Sequence, residues 1–103
     1  HTIGGSATVA LGNAYPSPAN PETWIPFRLE KAERVVIKIY TVTGQLVRTL
    51  DMGERTAGAY LSKEKAAYWD GKNKNGEKVS SGIYFYLMEA GSFVALKKML
   101  IMK

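Results

Sequence analysis

Residues 13–24 have the sequence NAYPSPANPETW and indicate where a β-domain begins, because a proline-rich segment gives way there to strand-forming residues. Pro16, Pro18 and Pro21 place three prolines within six residues. Proline fixes its own φ and holds the preceding residue extended, so the segment approaches the first core strand stiffly. Asn20 before Pro21 favours a turn at which that strand starts. The segment is therefore predicted to be a rigid approach to a β-domain.

The residues after this segment alternate in hydropathy as half-buried strands do. In residues 23–29 one face carries Thr23, Ile25, Phe27 and Leu29 and the other carries Trp24, Pro26 and Arg28. Residues 34–42 repeat this alternation with β-branched residues. Pro26 cannot donate a backbone hydrogen bond, so it marks an edge strand or a bulge. Gly44 lies between two apolar runs, which predicts a tight hairpin whose second arm spans 45–50.

The second half of the chain predicts further strands. Residues 51–65 are polar with two glycines and are predicted to form a connection that crosses between sheets. Three strands follow: the first ends at Trp69, the second spans 83–89 and the third begins at Phe93. Both faces of the second are apolar, so it is predicted to be central. About seven short strands predict an all-β fold, an immunoglobulin-like (fibronectin III-like) antiparallel β-sandwich.

Composition and length indicate one globular domain. Hydrophobic residues make up 46% and charged residues 22% of the 103-residue chain, which is typical of a sequence that folds alone. His1 opens the chain without a methionine, so residues 1–10 are interpreted as an expression remnant or linker and 11–103 as the domain. The sequence carries no signal-peptide pattern, and any export signal is expected to lie outside it. No apolar run reaches the roughly 18 residues of a membrane span.

Charge and reactive residues argue against catalysis and nucleic-acid binding. The net charge is +5, but the lysines are spread over turns and strands and do not gather with aromatic residues. His1 is the sole histidine, and the serines have no neighbouring base. We therefore expect a protein that is not an enzyme, needs no cofactor and binds other proteins.

One loop raises the question of calcium. Residues 70–77, DGKNKNGE, supply oxygens from Asp70, Asn73, Asn75 and Glu77, and Gly76 permits a sharp turn. The spacing lacks the carboxylate density of an EF-hand. The alternative interpretation is a long hairpin loop in which Asn and Gly adopt positive φ, with no metal.

Aromatic residues raise a second possibility, a platform for sugar stacking. Alternation places Trp24 and Tyr40 away from the buried face of their strands, whereas Trp69 at a strand end is predicted to be core. A carbohydrate-binding role would require exposed, coplanar rings.

Four motifs in fixed order carry a resemblance to a known family. They are NAYPSPANPET, VVIKIYTVTGQLVRTL, YWDGKNKNGEKVSSGIYFY and the ending KKMLIMK. The chain resembles the C-terminal immunoglobulin-like domain shared by flagellar hook-capping proteins and by the C-terminal sorting domains of secreted bacterial proteins, particularly those exported by the type IX route. Two features depart from the family pattern: a longer connection before the WDG motif, and SPAN in place of the commoner residues of the opening motif.

The resemblance implies a noncatalytic C-terminal module of a larger exported bacterial protein, acting in secretion sorting or cell-surface anchoring. Its recognition surface would combine the opening turn, the VSSG loop at 79–82 and the final basic strand. The candidate residues are Pro16, Pro18, Asn20, Pro21, Lys97, Lys98 and Lys103. The partner would be secretion machinery, neighbouring domains or other subunits. The rival hypotheses are a structural or adhesive spacer and, less favoured, a carbohydrate-binding domain.

Overall fold

The computed structural model describes residues 9–102, and these residues form nine strands. The strands are β1 (Ala10–Leu11), β2 (Thr23–Ile25), β3 (Phe27–Leu29), β4 (Glu33–Thr41), β5 (Leu46–Arg55), β6 (Gly58–Tyr60), β7 (Ala67–Trp69), β8 (Gly82–Ala90) and β9 (Phe93–Ile101). The sequence pattern does not predict the short strands β1 and β6, and it predicts β2 and β3 as one strand.

The strands form an immunoglobulin-like antiparallel sandwich. One layer is a four-stranded sheet with the order β5-β4-β8-β9. The other layer consists of the three-stranded sheet β1-β3-β6 and the two-stranded sheet β2-β7. One hydrophobic core contains side chains from all three sheets, among them Ile37, Tyr86, Phe27 and Trp69. Both layers therefore depend on the same buried apolar surface.

The faces predicted by alternation are confirmed. The residues at 23, 25, 27 and 29 are all buried, as are Val35, Ile37 and Ile39 on β4. Trp69 is fully buried, as expected for core. The strand predicted to be central is β8, which lies between β4 and β9.

Pro26 divides the predicted strand at 23–29 into two strands with different partners. β2 pairs with β7, whereas β3 pairs with β1 and β6. The Pro26 carbonyl accepts a hydrogen bond from the Gly12 N–H at 2.8 Å. Because proline has no N–H for a ladder, the chain changes sheets there while keeping its apolar face inward.

The second arm of the hairpin is longer than predicted. The sequence pattern predicts an end at residue 50, but β5 continues to Arg55, and β6 then pairs with β3 in the other layer. The register shifts between Val35 and Val36, opposite Gly53, whose φ is +69°. The sequence pattern predicts a loop here because of the polar residues and the glycine. A bulged edge strand has the same composition, so the pattern does not distinguish the two. The predicted crossing between sheets does occur, between β5 and β6.

Two predicted boundaries also differ from the structure. The candidate calcium segment is predicted to be a hairpin loop, but it joins β7 to β8, which lie in different sheets. The linker is predicted to extend to residue 10, but Ala10 lies in β1, paired with Arg28. Residues 1–8, including His1, lie outside the described residues. No helix in the part of the chain that the structure describes is long and apolar enough to cross a membrane.

Candidate protein-recognition surface

The proline-rich segment is docked onto the sandwich along its length. We call residues 12–22 the strap. The Tyr86 hydroxyl donates a hydrogen bond to the Gly12 carbonyl at 2.8 Å and accepts one from the Ala14 N–H at 2.9 Å. Tyr86 is fully buried, and burial raises the pKa of its phenol, while the Ala14 N–H acts in the opposite direction. The first part of the strap is therefore held by a hydroxyl inside the core.

The middle of the strap pairs with β2. Tyr15 and Trp24 exchange two backbone hydrogen bonds, at 2.9 and 2.8 Å. The Thr23 hydroxyl donates to the Tyr15 carbonyl, and the Tyr15 hydroxyl donates to the Leu61 carbonyl. The peptide bonds before Pro16 and Pro18 are both cis.

The end of the strap pairs with β9. The Ala19 N–H donates to the Leu100 carbonyl and the Ala19 carbonyl accepts from the Met102 N–H, both at 2.9 Å, which makes a parallel bridge to Ile101. Pro21 packs on Gly71, where an added β-carbon would lie 2.6 Å from the Pro21 Cβ. The strap therefore crosses from β1 to β9 as part of the domain, which differs from the predicted stiff approach.

The predicted recognition segments meet at one end of the sandwich. Ser17 of the strap, Ile83 beside the 79–82 segment and Lys98 of β9 line one groove of about 220 Å³, together with Met99 and Leu100. We call the strap, residues 79–82 and β9 together the strap surface. The Tyr84 hydroxyl donates to the Ser80 carbonyl at 2.7 Å, a tyrosine-corner arrangement that fixes the 79–82 segment.

The predicted site residues have different exposures on this surface. Pro16, Pro18 and Asn20 are exposed, and Pro21 is half-buried against Gly71. Lys98 is exposed and Lys97, on the opposite face of β9, is half-buried. Lys103 lies outside the described residues.

The comparisons with known proteins agree with this fold. The family model described as the FlgD Ig-like domain matches residues 12–92. The chain belongs to the FlgD Ig-like domain family. The match covers the strap and the strands from β2 through β8.

Two solved structures from Porphyromonas gingivalis resemble this Ig-like domain. Dimeric latent PorU matches with a TM-score of 0.59 and 23% identity over 92% of this chain and 9% of PorU. PorZ, described as an essential surface component of the type-IX secretion system, matches with a TM-score of 0.56 and 16% identity over 92% of this chain and 11% of PorZ. The chain thus spans about a tenth of either structure. No curated protein sequence matches the chain.

Three of the four candidate calcium-binding side chains of the Ig-like domain, Asp70, Asn73 and Glu77, accept internal hydrogen bonds. Asp70 Oδ1 accepts from the Arg48 guanidinium and from the Lys72 N–H, each at 3.0 Å. Asn73 Oδ1 accepts from the backbone N–H groups of Asn75 and Glu77. Within residues 9–102, no group of three or more His, Cys, Asp or Glu side chains is arranged to hold a metal ion. The Asn73 bonds form an Asx turn, which lies beside the Arg48–Asp70 ion pair.

Of the two residues considered for a sugar platform, Trp24 lies in a cross-strand aromatic cluster that does not contain Tyr40. Trp24 stacks with Tyr15 at 6.3 Å and contacts Tyr68 at 5.4 Å between ring centroids. The Lys63 ammonium lies 4.2 Å from the centroid of the Trp24 ring. The Tyr68 hydroxyl donates to the Glu22 carboxylate, which raises the pKa of Tyr68 to about 12. The indole face covered by Lys63 is occupied by a cation–π contact and is not free for sugar stacking.

Sequence reasoning missed two features of the surface. The role of Tyr86 gave no local signal, because its partners Gly12 and Ala14 lie more than 70 residues earlier in the chain. The exposed apolar side chains of β9, such as Val94 and Leu96, did give a signal. They alternate with residues of the inner face, and this alternation could have placed them on the outer face of the sheet.

Proposed function

We propose that this domain is a noncatalytic module of a larger exported bacterial protein and acts in secretion sorting or cell-surface anchoring. The observation that carries the proposal is the strap surface. Its three segments come from three separate sequence motifs, and the fold brings them to one end of the sandwich. A surface assembled from distant motifs is suited to recognition by another protein.

The side chains of the strap surface support a role in protein binding and not in catalysis. It presents prolines, aliphatic side chains and the two lysines at 97 and 98. Rigid and apolar groups with a few cations give shape and charge to an interface. A catalytic centre would instead require a nucleophile, an acid or a base held in mutual contact.

The structural neighbours support an exported location as part of the proposal. PorZ is described as a surface component of the type-IX secretion system, and a region of PorZ has this fold. The similarity itself concerns the fold. Export to the cell surface or medium, and a partner within the secretion machinery, are our extension of it to this chain.

A localisation assay tests the sorting role. The full chain is fused behind an exported reporter in a bacterium with a type IX system, and surface reporter is measured by protease accessibility. Mass spectrometry measures whether the domain is retained. We expect surface delivery that disappears in translocon mutants.

Matched variants connect the assay to the strap surface. Lys97→Ala combined with Lys98→Ala is expected to reduce surface delivery, whereas Lys31→Ala combined with Lys65→Ala removes the same charge elsewhere and should leave it unchanged. A folded wild-type domain whose reporter stays in the periplasm would contradict the sorting role.

The outer face of the four-stranded sheet favours a second candidate, a structural or assembly module. Leu46, Ile83, Val94 and Leu96 are exposed there. Exposed apolar side chains on one sheet face are typical of contact with a neighbouring domain or subunit. This candidate predicts that the domain stays on the mature protein and that the parent protein loses assembly, not export, when Leu96 becomes serine.

A further inference from the structure

In the described part of the chain, one edge of β9 has no partner strand, and it differs from the other edge of the same sheet. β9 lies at the end of the order β5-β4-β8-β9 and pairs with β8 from Phe93 to Ile101 without a register shift. At the opposite edge, the β4–β5 pairing has two register shifts, and the Lys74 N–H covers the Val47 carbonyl. Bulges and covering loops protect a strand edge from pairing with other chains. β9 pairs without a bulge, and among residues 9–102 the outer backbone groups of β9 bond only to Ala19 of the strap, near the end of the strand. β1 of the other layer packs beside β9 but does not pair with it.

The hydrogen bonds between the strap and β9 show which backbone groups of β9 point away from β8. The Leu100 carbonyl and the Met102 N–H bond to Ala19, so both point away from β8. In an antiparallel ladder every second residue points its backbone groups to the same side. Val94, Leu96 and Lys98 therefore present N–H and C=O groups at the open edge, in register with the bridge that Ala19 already makes.

The side chains along this edge combine apolar surface with unpaired charge. Val94 and Leu96 are 59% and 58% exposed. Within residues 9–102, neither Lys97 nor Lys98 has an acidic partner, whereas the neighbouring Lys38 pairs with Glu89 at 3.4 Å. The edge is therefore apolar and cationic.

Charge decides which strand fits this edge. β9 carries no carboxylate, so a second copy pairing along it supplies no partner for either lysine and adds two more cations. Lysines on an edge strand oppose self-association for this reason. An extended segment with carboxylates and β-branched residues matches both the charge and the apolar side chains.

We propose that an extended acidic segment of another protein adds to β9 as a further strand along residues 94–98, with carboxylates against Lys97 and Lys98. The groove lined by Ser17, Ile83 and Leu100 receives a side chain of this segment where the strap ends the open edge. The inference deepens the proposed function and rests on it for the protein that carries the segment.

Hydrogen exchange of the isotope-labelled full chain tests this strand addition. The probe is a peptide of about seven residues, the length of an ordinary strand, in which two adjacent glutamates lie between valines. Because successive side chains of a strand point to opposite faces, one carboxylate can meet each of the two lysines. The amides of Val94, Leu96 and Lys98 are expected to exchange at least about tenfold more slowly with the peptide bound. The amides of Ala95 and Lys97 already bond to β8 and should change little. This alternate pattern distinguishes strand addition from contact with the sheet face.

Charge reversal provides the matched control. A peptide with lysine in place of glutamate should not protect the wild-type edge. The double variant Lys97→Glu, Lys98→Glu should be protected by the lysine peptide and not by the glutamate peptide. The variant should fold, because neither side chain is fully buried and no described ion pair depends on them.

Three outcomes would overturn the inference. They are equal protection by both peptides, no protection by either, and protection that rises with protein concentration alone, which would identify a second copy as the occupant. A domain that exports the reporter but does not bind the acidic peptide would contradict only this inference. A domain that binds the peptide but leaves the reporter in the periplasm would contradict only the proposed function.

Discussion

At the scale of single residues, Tyr86 joins the strap to the core. Its ring lies among the buried side chains of β8, and its hydroxyl satisfies one donor and one acceptor of the strap backbone. Buried backbone groups without a partner are costly, so this hydroxyl is the reason that residues 12–14 can lie against apolar surface. One oxygen therefore links the opening motif of the family to the strand that follows the WDG motif.

Replacing Tyr86 with phenylalanine should destabilise the domain by about 1–3 kcal/mol, because the Ala14 N–H and the Gly12 carbonyl lose their partner. The free energy of unfolding is measured by urea denaturation, and amide exchange at Ala14 should accelerate. Tyr40→Phe is the matched control, because Tyr40 makes no described hydrogen bond through its hydroxyl, and it should change stability by less than about 0.5 kcal/mol. Equal effects of the two variants would contradict this role of Tyr86.

Tyr68 gives the domain a specific alkaline response. Its phenol has a pKa of about 12 in the folded domain because it donates to Glu22, compared with 10.0 in an unfolded chain. The unfolded state therefore loses the proton first as pH rises. The stabilising contribution is complete below pH 10.0 and is lost between 10.0 and about 12.

The measurement is urea denaturation across this pH range. Tyr68→Phe should lose less stability than the wild type between those two values, and the decline that remains includes the buried Tyr86, whose pKa is also raised. Parallel losses in the variant and the wild type would rule out the Tyr68 contribution.

At the scale of elements, the strap and the 70–78 loop support each other. Gly71 has a φ of +78° and packs directly against Pro21. Behind it, Arg48 bonds to Asp70 and to the Lys72 carbonyl, and the Trp69 indole N–H donates to the same carbonyl at 2.9 Å. These contacts hold the loop in one conformation, and the end of the strap packs against it through Pro21.

Two glycine variants separate backbone strain from close packing. Gly71→Ala and Gly76→Ala both place a β-carbon at positive φ, which costs roughly 1–2 kcal/mol. Gly76 has open space around it, but at Gly71 the new carbon overlaps Pro21. Gly71→Ala should therefore destabilise by about 1–3 kcal/mol more than Gly76→Ala in thermal or urea unfolding. Equal losses would show that the strap does not press on this loop.

Calcium should not stabilise the domain. The candidate oxygens of Asp70 and Asn73 already accept hydrogen bonds, and Arg48 neutralises the Asp70 charge. We expect the melting temperature to be the same in millimolar calcium and in chelator, as measured by calorimetry. A calcium-dependent increase that Asp70→Asn abolishes would restore the metal interpretation.

At the scale of the whole molecule, the strap closes the sandwich at one end. It contacts β2 through Tyr15, β8 through Gly12 and Ala14, and β9 through Ala19. These strands belong to both layers. The segment is consequently an element of the fold, although it contains little regular strand.

Deleting residues 1–22 should abolish cooperative folding, because the deletion removes β1 and the buried Leu11, Ala14 and Ala19. The test is amide dispersion in an NMR spectrum and the presence of a single thermal transition. The full-length variant Asn20→Ala changes an exposed strap residue and should remain within about 0.5 kcal/mol of the wild type. A folded, cooperative truncated domain would mean that the strap is a linker after all.

Alternation in the sequence determined which side chains are buried. The inward faces of β2, β3 and β4, and the central position of β8, follow from two-residue periodicity and β-branched composition. Both properties are local, since each strand exposes successive side chains to opposite faces wherever it lies. The motifs likewise determined the family, because their order and spacing are properties of the chain itself.

Only the tertiary structure decided which strands that are distant in the chain are neighbours. Pro26 moves the chain from one sheet to another, β5 continues through a bulge, and the Tyr86 hydroxyl binds a carbonyl 74 residues away. Each of these depends on hydrogen bonds between distant segments, and local periodicity does not specify the partner of a strand. The open edge of β9, and with it the proposed binding of an acidic strand, follows from the same long-range pairing.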